Sequence, residues 1–262
     1  HPMNIDSMTA DDLRVFADFL SSDYDISMNT IVTNMTLMRT VCNWVRKQGV
    51  TNNDPFFGYD MPKALYGTPY FLTIQERDQV LDADLTDDAE LAEYRDMFVF
   101  QCMVGCRHSD LVTFTPKNII DGVLEYIPIK TKGKLGDVVR VPLIPKAMAI
   151  LDGHDHGDDE PIFPKHYNFK FNDAIRRILK RAKVNRVVTV INPKTRLEEK
   201  KPISDVATSH LARRTFIGNL YRMVKDPDLV ASMSGHAKGS VAFARYRVID
   251  DDMKKSLVEL IQ

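Results

Sequence analysis

Ser209-His210-Leu211-Ala212-Arg213-Arg214-Thr215-Phe216 opens a segment that continues through Met233-Ser234-Gly235-His236 to Tyr246. Ser209 reads as a helix cap, because its hydroxyl can accept from the free N–H groups of a first turn. His210 and Arg213 are then three residues apart and share one face near the helix start. Two imidazoles, a guanidinium and the Tyr246 phenol could converge on one anion. A guanidinium presents a planar fork of donors matched to phosphate oxygens. A tyrosine hydroxyl beside such a site can attack phosphorus and form a covalent ester.

These residues resemble the C-terminal signature of the tyrosine recombinases, the phage-integrase family. That signature is His-x-x-Arg, then Gly-His, then a nucleophilic Tyr. Here the last interval is ten residues, from His236 to Tyr246, and no other tyrosine follows His236. Upstream, Gly105, Arg107, Asp110 and Leu111 match the family's first motif, Gly-x-Arg-x-x-Glu/Asp-Leu at a helix start. The resemblance implies that Arg107 and Arg213 grip a scissile phosphate and that Asp110 orients nearby groups. It also implies that His210 shuttles a proton between Tyr246 and solvent. His236 would donate a hydrogen bond to a phosphate oxygen. Geometry alone does not choose between Arg213 and Arg214, since both lie near the His210 face; the family spacing selects Arg213. Arg214 is then left to pair with backbone phosphates or an acidic side chain.

A third element lies in the turn Thr131-Lys132-Gly133-Lys134-Leu135-Gly136-Asp137. In the family a lysine on this hairpin protonates the leaving 5′ oxygen. Lys134, eight residues before Pro142, fits that place, and Lys132 and Lys130 are neighbours that could substitute. A 3′-phosphotyrosine keeps the energy of the broken linkage. No cofactor and no metal are therefore expected.

With 262 residues and 44% hydrophobic composition the chain can bury one large or two modest domains. The fold expected is mainly α with a small antiparallel β-sheet. Residues 1–50 read as a partial helical core-binding (SAM-like) domain, 51–70 as a linker with Pro55, Pro62 and Pro69, and 71–262 as the tyrosine-recombinase catalytic domain. His1-Pro2-Met3 reads as a cloning scar, which would make the chain a fragment of a longer protein.

Net charge is −1, so bulk charge does not announce a nucleic-acid partner. Distribution is more telling. Residues 165–201 hold twelve Lys/Arg against three Asp/Glu, and residues 78–96 hold eight Asp/Glu. The expectation is one polyanion-facing surface and one solvated acidic face. Cys42, Cys102 and Cys106 lack a metal-ligand pattern and suit a reducing compartment. His154 and His156 stand in what reads as an exposed polar loop, with no further ligands to make a zinc site. No run is long enough for a membrane span and no signal peptide opens the chain.

Periodicity supplies the elements. Thr9 and Ser27 read as caps of two helices, the second with an apolar stripe of Ile31, Met35, Met38, Cys42 and Val45. Trp44, beside that stripe, is expected in the core of a small helical bundle. Thr73 with Glu76 forms a capping box. A helix is expected from about Asp87 to Val104, ended by Gly105. Val123–Ile129 and Val138–Leu143 read as a hairpin, Pro128 implying an edge position or a bulge. Asn168–Lys183 reads as a basic helix with Phe171, Ala174, Ile175, Ile178 and Leu179 inward. Val187–Ile191 reads as a strand, Asn192–Lys201 as a charged loop, and Asp252–Leu260 as a short final helix.

The function implied is site-specific cleavage and rejoining of DNA, as in integration and excision of a mobile element. Its partners are double-stranded DNA, further copies of itself in a tetrameric synapse and accessory DNA-bending proteins, in the cytoplasm at the nucleoid. Two rivals share the fold. A type IB topoisomerase would use the same site to relax DNA, but the short helical module and compact length favour a recombinase. A non-catalytic DNA-binding regulator would be expected to lack an active-site residue.

Overall fold

The computed structural model describes residues 4–24, 26–131, 138–154, 157–224, 226–236 and residue 258. The chain divides into two compact units, His1–Gly67 with Thr189–Lys200, and Thr68–Val188 with Lys201–Gln262.

In the first unit α1 (Ala10–Ser22) begins at a capping box. Thr9 N–H donates to Asp12 Oδ2 at 2.8 Å, and Asp12 N–H returns a bond to Thr9 Oγ1 at 3.3 Å. Ser27 Oγ caps α2 (Met28–Lys47) by accepting from Thr30 N–H. Leu13, Ile31, Met35, Cys42 and Phe56 form the buried core, with Phe16 and Met38 against it. Residues 51–67 group with this unit. Asn53 helps tie them down, donating to the carbonyls of Ile5 and Met8 at 2.8 Å each. Trp44 departs from expectation, being 61% exposed. It is two residues past Cys42, so at 3.6 residues per turn it points about 200° away from that buried thiol.

The segment expected as a charged loop is instead the second half of a hairpin. β4 (Val187–Ile191) pairs with β5 (Glu198–Pro202). Asn192 builds the turn, its Oδ1 accepting from the N–H groups of Lys194 and Thr195. The hairpin's Pro193 carbonyl accepts the N–H of Met28 at 3.1 Å.

The second unit is built around α4 (Ala89–Val104). Every residue from Met97 to Val104 is buried, so the helix is enclosed on all sides. Around it lie α3 (Ile74–Leu81), α6 (Pro145–Asp152), α7 (Asn168–Arg181) and α9 (Ser209–Val224). α3 carries the expected Thr73/Glu76 capping box. The five apolar positions read on α7 are its buried residues. Short helices α5 (His108–Leu111), α8 (Ile203–Val206) and α10 (Pro227–Ser234) complete the helical part.

A three-stranded antiparallel sheet joins them, ordered β1 (Ile119–Ile120), β2 (Val123–Tyr126) and β3 (Val139–Pro142). Leu124 faces Val141 and Tyr126 faces Val139 across the expected hairpin. Pro128 neither bulges the first strand nor makes it an edge. β2 is the central strand and stops at Tyr126, and Pro128 opens a 3₁₀ turn at Ile129–Thr131.

The two charge runs meet in part. Arginines of α7 reach two of the eight carboxylates of the acidic run, and Arg186 reaches Glu76 just before it. Arg177 pairs with Asp88 at 2.7 Å, Arg181 with Asp87 at 2.6 Å and Arg186 with Glu76 at 2.6 Å. The two runs are far apart in sequence, so their pairing is invisible to a composition count. His154 is also not in an exposed loop. Its side chain is 15% exposed, packed edge-on to Phe163 and 3.6 Å from Asp96. His156 and the expected final helix, apart from Val258, lie outside the described residues. Among the described residues no His/Cys/Asp/Glu group could hold a metal ion, and no helix is long and apolar enough to cross a membrane.

Candidate active site

The site starts where α4 ends. Gly105 adopts a left-handed conformation, φ +69°, and its N–H closes the last turn on Gln101 O at 2.9 Å. A Cβ here would lie 2.7 Å from Cγ of Phe216, so α9 approaches as closely as a glycine allows. The chain then turns extended at Arg107, the N-cap of α5, with Asp110 one turn on.

Asp110 is 1% exposed. Its Oδ1 accepts the Ile129 N–H at 2.9 Å, fixing the 3₁₀ turn that carries Lys130. Its Oδ2 is buried without a hydrogen bond and stands 3.9 Å from Arg107 Nη1. Among the described residues that nitrogen too is buried without a hydrogen-bond partner. Arg107 Nη2 reaches toward the Gly235 carbonyl at 3.5 Å.

α9 supplies the second arginine. Arg213 is 1% exposed. Nη1 donates to Gly105 O at 2.8 Å and Nη2 lies 3.1 Å and 3.2 Å from the two ring nitrogens of His236. Arg214 goes elsewhere. Its guanidinium stacks over Tyr70 at 5.2 Å, and the Tyr70 hydroxyl donates to Val206 O. The aromatic face is the partner that sequence reasoning did not foresee. The start of α9 is held from outside the helix. Ser209 N–H donates to Asn172 Oδ1 at 2.8 Å and Ser209 Oγ bonds Asn168 Oδ1 at 3.1 Å. Two α7 asparagines thus engage Ser209, whose hydroxyl was expected to cap its own helix.

His236 follows α10 through Gly235, left-handed at φ +63°. Both histidines are held neutral. Burial, then Arg213, Arg107, His210 and Lys130, push His236 down to about 3. His210 keeps an edge open to solvent. Even so, desolvation by the protein around it, then Arg214, Arg213 and Arg107, lower it to about 4. An anion seated among these groups would offset the arginine charges and favour protonation.

The structure therefore brings Arg107, Asp110, His210, Arg213 and His236 into one cluster, with exposed Lys130 near enough to act on His236. Lys132, Lys134 and Tyr246 lie outside the described residues. Two groups escaped the sequence reading. One is the Gly105 carbonyl that holds Arg213; the other is Ser234, whose hydroxyl lies 2.9 Å from His236 Nδ1. Neither residue type advertises such a role.

Residues 70–253 match the model of the Phage integrase family. The chain belongs to that family. The fold agrees with solved structures of other recombinases. A Tn1549 transposon integrase in complex with circular intermediate DNA is 16% identical, with TM-score 0.70 over 97% of this chain and 86% of that one. A lambda integrase dimer bound to a core site is 14% identical, with TM-score 0.66 over 94% and 81%. The XerH site-specific recombinase bound to its difH substrate is 15% identical, with TM-score 0.61 over 98% and 72%. No curated protein sequence matches the chain. Within the matched residues Arg107 immediately precedes α5, His210 and Arg213 lie on α9, and His236 follows α10.

Proposed function

We propose that this phage-integrase family protein cuts one strand of duplex DNA at a defined site, holds it as a 3′-phosphotyrosine on Tyr246 and passes it to a partner's 5′-hydroxyl. The observation that carries this reading is Arg107 Nη1, a buried cationic donor without a hydrogen bond among the described residues, beside a buried Arg213 and two neutral histidines. A buried unsatisfied donor is costly, and an oxyanion placed there would satisfy it. Two guanidiniums would offset the charge that builds on pentacoordinate phosphorus. His210 would take the Tyr246 proton as the phenol attacks. His236 would hydrogen-bond a non-bridging oxygen, and Lys134 would protonate the departing 5′ oxygen. Asp110 ties the Ile129–Thr131 turn, which carries Lys130, to α5.

The similar solved proteins are named as integrases and recombinases on DNA, one of them a lambda integrase tetramer on a Holliday junction. They support double-stranded DNA as the substrate and a tetrameric synapse as the working assembly, with accessory DNA-bending proteins as further partners. The Tn1549 likeness supports a mobile-element role, acting in the cytoplasm at the nucleoid. The domains we assign are a helical core-binding module that begins at 1–50 and a catalytic domain at 71–262; of the 51–70 stretch read as a linker, residues 51–67 pack with the first unit. The test is to incubate the protein with a nicked duplex of its element's end in excess EDTA and resolve the products under denaturing conditions. A protein–DNA adduct supports the reading; strict dependence on a divalent metal favours a nuclease instead.

A further inference from the structure

Ser234 closes α10 and is fully buried. Its hydroxyl oxygen has three polar neighbours: Val230 O at 2.8 Å, Ala231 O at 3.2 Å and His236 Nδ1 at 2.9 Å. The carbonyls can only accept, so the single hydroxyl proton goes to Val230 O, the shorter contact. A lone pair then faces Nδ1, which must carry the ring proton. A neutral imidazole has one N–H, so Nε2 is left as an acceptor. Arg213 Nη2, which can only donate, lies 3.1 Å from Nδ1 and 3.2 Å from Nε2, and with the ring proton on Nδ1 it is Nε2 that accepts from it. Among the described residues, the Ser234 hydroxyl, Nδ1–H and Arg213 Nη2 then each have an acceptor. The opposite tautomer would set Nε2–H against an Arg213 N–H and leave Nδ1 as the one acceptor for both the Ser234 hydroxyl and Arg213 Nη2.

We propose that Ser234 is a positioning residue for His236: anchored on Val230 O, its hydroxyl accepts from Nδ1–H and so reserves Nε2 for the anion. The proposal deepens the reading of this site as a phosphate-binding centre. Without DNA, Nε2 accepts from Arg213. With a phosphate between the arginines, Nε2 takes a proton from solvent and donates to the phosphate oxygen, while Nδ1–H stays on Ser234. The ring does not flip between the two states, so the hydrogen bond is preorganised. The charged or titratable groups acting on the ring are Arg213 and His210 of α9, Arg107 before α5 and Lys130 of the 3₁₀ turn.

Two readouts test this. Long-range ¹H–¹⁵N NMR of the DNA-free protein, with the His236 signal assigned by its loss in His236→Gln, should show the Nδ1–H tautomer. An Nε2–H tautomer in the wild-type protein overturns the proposal whatever the DNA chemistry proves to be. The second readout is the pH profile of adduct formation on a nicked duplex. Ser234→Ala should lose about tenfold at neutral pH, the worth of one hydrogen bond, with a displaced acid limb and a mixed tautomer. Ser234→Thr, which keeps the hydroxyl, should restore the tautomer and most of the rate. An unchanged tautomer and pH profile in Ser234→Ala reduce the serine to packing and overturn the role. Absence of an adduct from the wild-type protein, with the Nδ1–H tautomer present, would count against the recombinase reading and leave the hydrogen-bond assignment intact.

Discussion

Arg213 donates from Nη1 to the carbonyl oxygen of Gly105 at 2.8 Å, joining a helix that ends to one that begins. α4 terminates at Gly105, so this carbonyl sits at the negative end of a helix dipole, where a cation is stabilised. A buried guanidinium needs such partners, because removing it from water is otherwise costly. The same glycine that lets α9 approach therefore also fixes the charge α9 carries.

Gly105→Ala is expected to destabilise the protein. Its φ of +69° strains any side chain, and the added methyl meets the Phe216 ring. The backbone strain alone costs about 1–3 kcal/mol. Urea unfolding reads the loss; a wild-type midpoint would contradict the close approach of α4 and α9.

Arg107→Lys and Arg213→Lys should each cut strand cleavage by about 100- to 1,000-fold, the scale for losing one oriented transition-state donor. An ammonium cannot reproduce two donors in a plane, and at Arg213 it cannot span Gly105 O and His236 together. Single-turnover cleavage with matched DNA binding makes the measurement. Near-normal rates in both variants would make these arginines structural.

The lowered histidines predict a stability that falls with acid. A histidine with a folded pKa below its unfolded value of 6.5 binds fewer protons when folded across the interval between the two. Its contribution is whole above pH 6.5 and is lost as pH falls toward about 4 for His210 and about 3 for His236. His108, lowered by burial and by His166, acts in the same direction. Asp78 and Asp96, also lowered, act only below the ordinary carboxylate range, so the window from pH 6.5 to 4 belongs to the histidines. Melting temperatures across that window should drop, and His236→Gln should flatten the slope. A slope unchanged in His236→Gln would show that the ring is not held neutral.

Much of this was legible in the sequence. Caps at Thr9, Ser27 and Thr73, the α7 stripe and the β2–β3 hairpin are local patterns, and local patterns survive into the fold. The cluster of Arg107, His210, Arg213 and His236 followed from motif resemblance. What failed was non-local. The α7 arginines face the acidic run, which no count of charge along the chain can show. β5 reads as loop because Glu198, Glu199, Lys200 and Lys201 hide any alternation. Arg214 finds Tyr70, a partner more than a hundred residues away in sequence. Trp44 was misplaced for a plainer reason, being apolar but two positions past Cys42 on α2.

The hairpin lysine has a chemical test. If Lys134 protonates the leaving 5′ oxygen, Lys134→Ala should cleave ordinary DNA poorly and recover on DNA with a bridging 5′ sulfur, which needs little protonation. Lys132→Ala and Lys130→Ala should show smaller defects without selective recovery. Rescue of Lys132→Ala alone would move the role two residues along the turn, and no rescue in any variant would remove the turn from the acid step.

The central claim is that Tyr246 forms the covalent bond to DNA, and one measurement addresses it directly. The protein is trapped on a nicked duplex, digested, and the DNA-linked peptide is mapped by mass spectrometry, with Tyr246→Phe in parallel. The account predicts a 3′-phosphotyrosyl peptide containing Tyr246 and, in the phenylalanine variant, loss of the adduct with DNA binding kept, since only the nucleophilic oxygen is removed. An adduct that persists in Tyr246→Phe, mapped to another residue, would contradict it.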